Sequence, residues 1–267
     1  MQSVPRVLTI AGSDSGAGAG IQADLKAFAR CGVYGMSAVT AVTAQNTQGI
    51  EAVHHVPARV VRAQIDAVIS DIGVDAVKIG MLGRGATARA VVAAIRTALA
   101  GRTPLVVDPV IIASSGSELL DRDGIGVLIG ELLPHASVVT PNLPEARLLL
   151  ERGAIPIPVG ADDRELARAL LALGSRCVVL TGGHRSDPAD IYADAEQTVE
   201  IVWERSGSGA THGTGCTHSA VLAAELAHGR SALDAARTAA RLTSEAVHNG
   251  HEGLGQGPGP VEIGARR

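Results

Sequence analysis

Short apolar runs alternate along the chain with longer stretches in which apolar residues recur every three or four positions. The apolar runs predict buried strands at residues 6–10, 36–43, 76–79, 105–107, 137–139 and 178–180. The longer stretches predict helices at residues 21–30, 58–72, 86–99, 123–133, 144–150, 165–173, 216–228 and 232–248. Repeated strand–helix units with fully apolar strands are typical of a parallel sheet covered by helices on both faces.

Three further segments have the mixed polarity of exposed strands. Residues 50–56 follow a turn and predict an exposed hairpin, while residues 191–193 and 198–203 predict a small antiparallel hairpin at a sheet edge. We therefore predict a single domain over residues 1–267, an α/β protein of three layers (α/β/α) with a mostly parallel central sheet. The exposed edge at residues 50–56 can pair with a second copy, so a homodimer is predicted.

Composition and charge narrow the function classes. Hydrophobic residues make up 46% of the 267 residues, enough for a large core, and the net charge of −4 argues against a nucleic-acid partner. No apolar run reaches membrane-spanning length and the first residues lack a signal-peptide pattern, so we predict no membrane contact and a cytoplasmic location. Three widely spaced cysteines suggest neither a disulfide framework nor a zinc pair.

The strongest chemical signal is the segment Thr211-His-Gly-Thr-Gly-Cys-Thr-His218, at the start of a predicted helix. Unpaired backbone N–H groups and the positive end of the helix dipole suit an anion there. A thiol in that position, Cys216, is expected to favour its ionised form. An anion site beside a potential base is what the transfer of a phosphoryl group to a hydroxyl requires.

A glycine-rich loop at residues 12–20 follows the first strand and opens a helix, as in a dinucleotide-binding site. Such a site needs an acidic residue about 20 positions further on, and the second strand ends instead in Thr43-Ala-Gln45. We interpret the segment as a loop that closes over a small substrate, with Asp24 on the first helix turn.

Two other strand ends carry polar side chains. Asp108 could hold Mg²⁺ through water, or could cap a turn before Pro109. Asn142 and Glu145 lie three residues apart, so both face one side of a helix start, where they could orient Mg²⁺ and phosphate oxygens. Asn142 could equally be a simple helix N-cap.

Eight segments together resemble the hydroxymethylpyrimidine/phosphomethylpyrimidine kinases of thiamine biosynthesis, in the ribokinase-like superfamily. They are Leu8-Thr-Ile-Ala-Gly-Ser-Asp14, Gly18-Ala-Gly-Ile-Gln-Ala-Asp-Leu-Lys26, Thr43-Ala-Gln-Asn-Thr-Gln-Gly49, Lys78-Ile-Gly-Met-Leu82, Asp108-Pro-Val110, Thr140-Pro-Asn-Leu-Pro-Glu-Ala146, Gly182-Gly-His184 and Thr211-His-Gly-Thr-Gly-Cys-Thr217. They follow one another in order over nearly the whole chain, which makes the set specific.

The resemblance implies a ribokinase-like fold and an ATP- and Mg²⁺-dependent kinase. Its small-molecule substrate would be 4-amino-5-hydroxymethyl-2-methylpyrimidine and then the monophosphate of that alcohol. Gln45 would read the amino and ring-nitrogen edge of the pyrimidine, because an amide both donates and accepts hydrogen bonds. The other substrate contacts would be Gly12, Asp24, Met81 and Val110.

The resemblance also implies the phosphate machinery. Gly213, Gly215 and Cys216 would form the anion site, with Cys216 as the base. The nucleotide would contact Asn142, Thr181, Gly183, Thr211 and His212, and Mg²⁺ would bind Asp108 and Glu145. Catalysis would consist of positioning and charge stabilisation.

Several lysines that the family usually carries are missing. Small residues stand instead at Thr181, at Ala113-Ser-Ser-Gly116, at Gly209-Ala210 and near Ala240. We therefore keep the hypothesis that phosphate handling is weakened, most of all in the second step, where two anions must approach each other. The alternatives are a pyridoxal/pyridoxine kinase and a catalytically weak pyrimidine-binding homologue.

Overall fold

A computed structural model describes residues 4–98, 103–112, 116, 118–182 and 188–264. In this part of the chain one sheet has nine strands. The strands are β1 (Arg6–Asp14), β2 (Tyr34–Asn46), β3 (Gly49–His55), β4 (Ala76–Ile79), β5 (Leu105–Val107), β6 (Val138–Val139), β7 (Cys177–Leu180), β8 (Ala189–Ala193) and β9 (Thr198–Val202). Their order is β3-β2-β1-β4-β5-β6-β7-β8-β9.

The middle of the sheet, from β2 to β7, is parallel. Strand β3 pairs antiparallel with β2 at one edge, and β8 and β9 form the antiparallel hairpin at the other. The predicted fold class, with a mostly parallel sheet and an antiparallel edge hairpin, is confirmed.

Eight α-helices cover the described part of the sheet. They are α1 (Gly20–Arg30), α2 (Ala58–Asp71), α3 (Gly85–Ala98), α4 (Arg122–Val127), α5 (Leu143–Arg152), α6 (Asp163–Leu170), α7 (Thr214–Ala227) and α8 (Ala232–His248). Helices α1, α7 and α8 share one core with the sheet, and the other five helices share the second. None of the described helices is both long enough and apolar enough to cross a bilayer.

Neighbouring residues of one strand belong to different cores. In β5, Val106 packs under α7 and α8, whereas Leu105 and Val107 pack under the opposite helices. Side chains alternate between the two faces of a strand, so a strand covered on both sides must be apolar throughout. The same alternation directs Thr9 in β1 and Lys78 in β4 towards α1 and α7, because each lies two residues from a member of that core.

The predicted helix at residues 123–133 is wrong in detail. Helix α4 ends at Val127, a π-helical turn runs over Leu128–Leu132, and a 3₁₀ turn follows over Leu133–His135. Pro134 lacks an N–H group, and Gly126 and Gly130 lower the helix propensity, so a regular helix is not maintained. Strand β1 also runs beyond its predicted end, because Ser13 and Asp14 still pair with β2.

Candidate active site

The carboxyl ends of the central strands meet at one edge of the sheet. Asp14 is the last residue of β1, Asp108 directly follows β5, and Asn142 is bridged to Thr181 beyond the ends of β6 and β7. Ligands of parallel α/β sheets bind at this edge. The polar residues that the sequence placed after strand ends therefore lie on the side of the sheet where a site is expected.

Asp14 holds the glycine-rich loop in place. Its carboxylate accepts hydrogen bonds from the N–H groups of Gly16 at 2.8 Å, Gly18 at 3.1 Å and Ala19 at 2.8 Å. The other contact is Nε2 of His212, at 2.9 Å. Burial raises the pKa of Asp14, but the hydrogen bonds from His212 and the loop outweigh it and leave the pKa below its usual value. The loop before α1 is thereby tied to the turn before α7.

The same two segments touch through their backbones. Gly213 has φ of +86°, a left-handed conformation that favours glycine, and a Cβ there would overlap the carbonyl oxygen of Gly18. A Cβ on Gly18 would in turn overlap the ring of His212. Side chains at either glycine would push the loop and the turn apart, so these glycines set their spacing.

Cys216 lies where two helices begin. It is on the first turn of α7, and the backbone N–H of Gly20, the first residue of α1, acts on its sulfur and lowers the pKa of the thiol. Gly213 caps α7 without a side-chain hydrogen bond to the helix amides. Two positive helix ends thus point at the half-buried Cys216, an arrangement suited to an anion.

The expectation that the Cys216 thiol is ionised is wrong for the protein by itself. Burial raises the pKa of the thiol to about 12, and the negative charges of Asp24 and Asp108 act in the same direction. The Lys78 ammonium and the Gly20 N–H lower it, but by less. A helix amino terminus favours a thiolate only where desolvation is small.

A buried network of charged side chains lies under the turn at residues 213–216. Its central residue, Lys78, was not among the predicted site residues. The Nζ atom of Lys78 is 2.9 and 3.0 Å from the two carboxylate oxygens of Asp24, and both side chains are fully buried. Thr9 donates to Asp24 at 2.6 Å. Asp24 therefore does not face a pocket, and its prediction as a substrate contact is wrong: α1 turns it inward, onto Lys78. The available signal was a lysine in an apolar strand of a chain with only two lysines.

Asp108 and Glu145 form an acidic pair beside this network. Oδ2 of Asp108 lies 4.0 Å from Nζ of Lys78 and accepts a hydrogen bond from Ser219 at 3.0 Å. Burial and the charge of Asp108 raise the pKa of Glu145 to about 8. Two carboxylates whose charges repel each other fit a hard divalent cation such as Mg²⁺. The described residues contain no cluster of three or more His, Cys, Asp or Glu side chains that could hold a metal, so water or phosphate would have to supply the remaining ligands.

Asn142 is the N-cap of α5. Its side chain accepts a hydrogen bond from the N–H of Glu145 at 2.9 Å, and Glu145 accepts one from the N–H of Asn142 at 3.0 Å. The capping interpretation is confirmed, and one Glu145 oxygen is engaged in it. The cap fixes Glu145 relative to the end of β6.

An apolar wall forms next to the glycine-rich loop. Met81 packs with Ala41 and Leu119 in a cluster separate from the two main cores, and Val110 packs against it. A Cβ on Gly12 would come within 3.0 Å of the Met81 sulfur, so the strand backbone lies close to that side chain. The structure thus brings together Gly12, Met81 and Val110.

Gln45 lies near the end of β2 and contacts the glycine-rich loop at Ser15. Its backbone N–H and carbonyl both bond to the Ser15 hydroxyl, at 2.9 and 2.7 Å, and its side-chain oxygen accepts from Thr43 at 3.2 Å. The oxygen of the half-buried amide thus has a hydrogen-bond partner next to it in the same strand.

The remaining predicted contacts are spread over the same edge. Thr181 donates its N–H to Pro141 at 2.9 Å, and Thr211 is exposed at the start of the turn. Gly183 lies outside the described residues.

His218, the last residue of the segment at residues 211–218, contacts the edge hairpin. It is buried, and its Nε2 lies 3.1 Å from Asp190, a residue of β8. Asp190 also accepts hydrogen bonds from the N–H of Gly182 at 2.8 Å and from Nε1 of Trp203 at 3.2 Å. The contact between His218 and Asp190 connects the edge hairpin and the end of β7 to α7. It could not be predicted from the sequence, because it depends on the order of the strands in the sheet.

Comparisons with known proteins agree with this geometry. Residues 14–262 match the family model described as phosphomethylpyrimidine kinase. A hydroxymethylpyrimidine/phosphomethylpyrimidine kinase of Rhizobium meliloti is 46% identical over 260 residues, covering 95% of this chain and 95% of that protein.

Two solved structures extend the comparison. A phosphomethylpyrimidine kinase from Clostridium difficile is 37% identical, covers 91% of this chain and 97% of that chain, and superposes with a TM-score of 0.75. The pyridoxal kinase from Staphylococcus aureus in complex with AMP-PCP and pyridoxal is 33% identical, covers 98% and 95%, and has a TM-score of 0.84. From its matching sequence model and its near full-length relatives, the chain belongs to the phosphomethylpyrimidine kinase family and is a kinase.

Proposed function

We propose that this kinase transfers a phosphoryl group from ATP, with Mg²⁺, to the hydroxymethyl group of 4-amino-5-hydroxymethyl-2-methylpyrimidine, and then to the resulting monophosphate. The observation that carries the proposal is the meeting of two helix amino ends at Cys216, beside an apolar wall and an acidic pair. This edge therefore offers separate places for an anion, a small ring and a cation.

The turn before α7 would hold the moving phosphoryl group. Backbone N–H groups at Gly213, Gly215 and Cys216 would stabilise its negative charge, which is the main catalytic demand in phosphoryl transfer. We propose Cys216 as the group that takes the proton of the substrate hydroxyl. A neutral thiol cannot accept a proton, so the sulfur would first have to release its own proton to water, which a bound cation nearby would favour by lowering the pKa of the thiol.

The pyrimidine would lie between Gln45 and the apolar wall. The side-chain amide of Gln45 would pair with the amino and ring-nitrogen edge of the substrate, since it can both donate and accept hydrogen bonds. Gly12, Met81 and Val110 would contact the ring faces, which suits a site built without aromatic side chains. Burial excludes Asp24 from this set.

The nucleotide would lie across the ends of β6 and β7, near Asn142, Thr181, Gly183, Thr211 and His212. Asp108 and Glu145 would hold Mg²⁺, which supplies charge neutralisation between phosphate groups when bound. The use of ATP is supported by the S. aureus relative, whose structure contains AMP-PCP.

We also propose a cytoplasmic location. The homodimer stays a prediction, which sedimentation velocity would test.

A pyridoxal kinase is the second candidate. The S. aureus pyridoxal kinase has a TM-score of 0.84, against 0.75 for the C. difficile phosphomethylpyrimidine kinase. Sequence identity favours the pyrimidine kinase, at 46% for the R. meliloti relative against 33% for the pyridoxal kinase. The fold does not separate the two activities, since both rings carry a hydroxymethyl group.

Product analysis with Mg·ATP and each alcohol decides between them. We expect the pyrimidine alcohol to become first a monophosphate and then a diphosphate, with pyridoxal a poor substrate. Phosphorylation of pyridoxal alone would establish the second candidate instead. Pyrimidine binding without ATP consumption would make the chain a binding protein and refute the proposal.

Replacement of Cys216 by Ala tests the role of the sulfur. We expect kcat to fall roughly 100-fold or more, as for removal of a positioned proton acceptor, with the KM for the pyrimidine nearly unchanged. Gln45→Ala is the matched control, because it removes a ring contact and should raise KM with a smaller effect on kcat. Steady-state kinetics of both variants measure the split, and an unchanged kcat in Cys216→Ala would contradict the role.

A further inference from the structure

We propose that Lys78 is a positioning residue of this kinase: its ammonium supplies the fixed positive charge under the turn at residues 213–216 and offsets the carboxylates that would otherwise repel an arriving phosphoryl group. The proposal rests on the proposed function for its catalytic consequence. Its electrostatic part stands on the buried network alone.

Lys78 is held rigidly in that position. Strand alternation points it towards α1 and α7, and its side chain is fully buried. Both oxygens of Asp24 contact its Nζ, and Thr9, its register partner on β1, fixes Asp24 from the other side. The pair also ties α1 to β4, so the ammonium cannot move without moving the helix that points at Cys216.

A short chain of contacts leads from the ammonium to the turn. Nζ of Lys78 is 4.0 Å from Oδ2 of Asp108, and the same oxygen accepts a hydrogen bond from Ser219. The Ser219 hydroxyl also lies 2.9 Å from the carbonyl oxygen of Gly215 and 3.1 Å from that of Cys216. Asp108 thus lies between the ammonium and the first turn of α7.

The charges around the turn explain why a cation is needed. Asp24 on α1 and Asp108 after β5 both act on the Cys216 sulfur, and both disfavour negative charge there. Lys78 on β4 is the charged side chain that acts in the opposite sense, together with the Gly20 N–H. Without the ammonium, the negative charges of two buried carboxylates would act, with no cation to offset them, on the place where a phosphoryl group must arrive.

A purely structural role is the competing explanation. A buried ion pair contributes little net stability and can often be replaced by apolar residues, whereas breaking it on one side is strongly destabilising. Lys78→Met and Asp24→Asn both break the same pair. A structural role therefore predicts that the two variants change in the same direction, whereas an electrostatic role predicts opposite directions at Cys216.

The first experiment measures the alkylation of Cys216 by iodoacetamide against pH, without nucleotide or Mg²⁺. Peptide mass spectrometry gives the rate for each cysteine, and Cys31 is the internal reference. We expect Lys78→Met to lower the alkylation rate of Cys216 about tenfold and Asp24→Asn to raise it about tenfold. Each change corresponds to a shift of about one unit in the pKa of the thiol. Arg62→Met, which breaks an exposed pair with Asp66 on α2, should change nothing. Shifts in the same direction for both network variants would overturn the proposal.

The second experiment uses the double variant Lys78→Met/Asp24→Asn, which removes both charges and keeps the Thr9 hydrogen bond. We expect thermal stability to recover relative to Lys78→Met, while kcat stays roughly tenfold or more below wild type, because the cation is still missing. Recovery of kcat together with stability would make Lys78 merely structural. If the wild-type chain phosphorylates neither alcohol, the proposed function fails while the alkylation rates still decide the role of Lys78.

Discussion

At the scale of single residues, burial affects the protonation of Cys216 and Glu145 more than the helix start at which each of them lies. Cys216 begins a helix and has Lys78 nearby, yet burial raises its pKa to about 12. Glu145 receives a hydrogen bond from the Asn142 N–H, which favours the carboxylate, yet its pKa rises to about 8. Burial therefore favours the protonated form of both groups, and a ligand that brings positive charge to this edge would favour release of their protons.

The pH dependence of stability tests the state of Glu145. A carboxyl whose pKa is about 8 in the folded chain and 4.5 otherwise holds its proton more tightly when folded. Its contribution to stability is present below the lower value and is lost as the pH rises through the higher one. Between pH 5 and 8 we expect the free energy of unfolding of wild type to fall relative to that of Glu145→Gln, which keeps the helix cap.

Urea denaturation at a series of pH values measures this difference. Glu165→Gln is the matched control, because it occupies the same position in the exposed capping box of α6. A difference between wild type and Glu145→Gln that stays constant from pH 5 to 8 would show that Glu145 is ionised throughout.

Sequence reasoning identified the residue types of the site but not all of their environments. The glycines and Cys216 could be placed because a helix start has a local signature. Asp24 was misplaced and Lys78 missed because their partners lie on other elements: Lys78 is 54 positions from Asp24. Whether a polar residue faces a pocket or a buried counter-ion depends on sheet register, which no local pattern records.

At the scale of elements, the site depends on how α1 and α7 begin. Both starts follow glycine-rich segments, and the Asp14 carboxylate joins them through three loop amides and His212. Regular elements were predicted well where a strand is fully buried, as for β4 and β5, or where a helix has a clear cap and length, as for α8. The interrupted helix after Asp121 was not predicted well, because its π-helical turn depends on packing around glycines and Pro134.

Asp14→Asn tests the junction between these two helix starts. An amide oxygen can replace only part of the four contacts, so we expect a loss of about 1–3 kcal/mol in the free energy of unfolding. Because the turn at residues 213–216 would lose its register with the loop, kcat/KM should fall about tenfold or more. Urea denaturation and steady-state kinetics measure the two effects.

Asp66→Asn is the control for this variant, since Asp66 pairs with Arg62 on the exposed face of α2. We expect that change to be nearly neutral in both assays. An Asp14→Asn enzyme with wild-type kcat/KM would mean that the junction serves folding only.

At the scale of the whole molecule, one sheet separates two apolar cores, and the polar site forms where the sheet ends. The layers could be predicted because apolar strands and amphipathic helices alternate along the chain. The strand order could not, since pairing joins residues far apart in sequence. The family relationship agrees with this fold. Several lysines that the family usually carries are missing from this chain, but Lys78 is present as a buried cation next to the turn at residues 213–216.

Asp190 connects the antiparallel edge of the molecule to its helical layer. One buried carboxylate accepts hydrogen bonds from Gly182, Trp203 and His218, which lie after β7, after β9 and on α7. Gly182 directly precedes Gly183, a proposed nucleotide contact, so release of this connection should act on the nucleotide side. We expect Asp190→Asn to raise the KM for ATP about tenfold and to leave the KM for the pyrimidine nearly unchanged.

The turn of the same hairpin provides the control for Asp190→Asn. Asp194 accepts hydrogen bonds from Tyr192 and from the N–H groups of Glu196 and Gln197, so Asp194→Asn loosens the hairpin without touching α7. If the effect on ATP comes from the link to α7, Asp194→Asn should keep a wild-type KM for ATP. If both variants raise the KM for ATP equally, the effect comes from the hairpin as a whole. If Asp190→Asn raises the KM for ATP and the KM for the pyrimidine equally, the effect is not confined to the nucleotide side of the site.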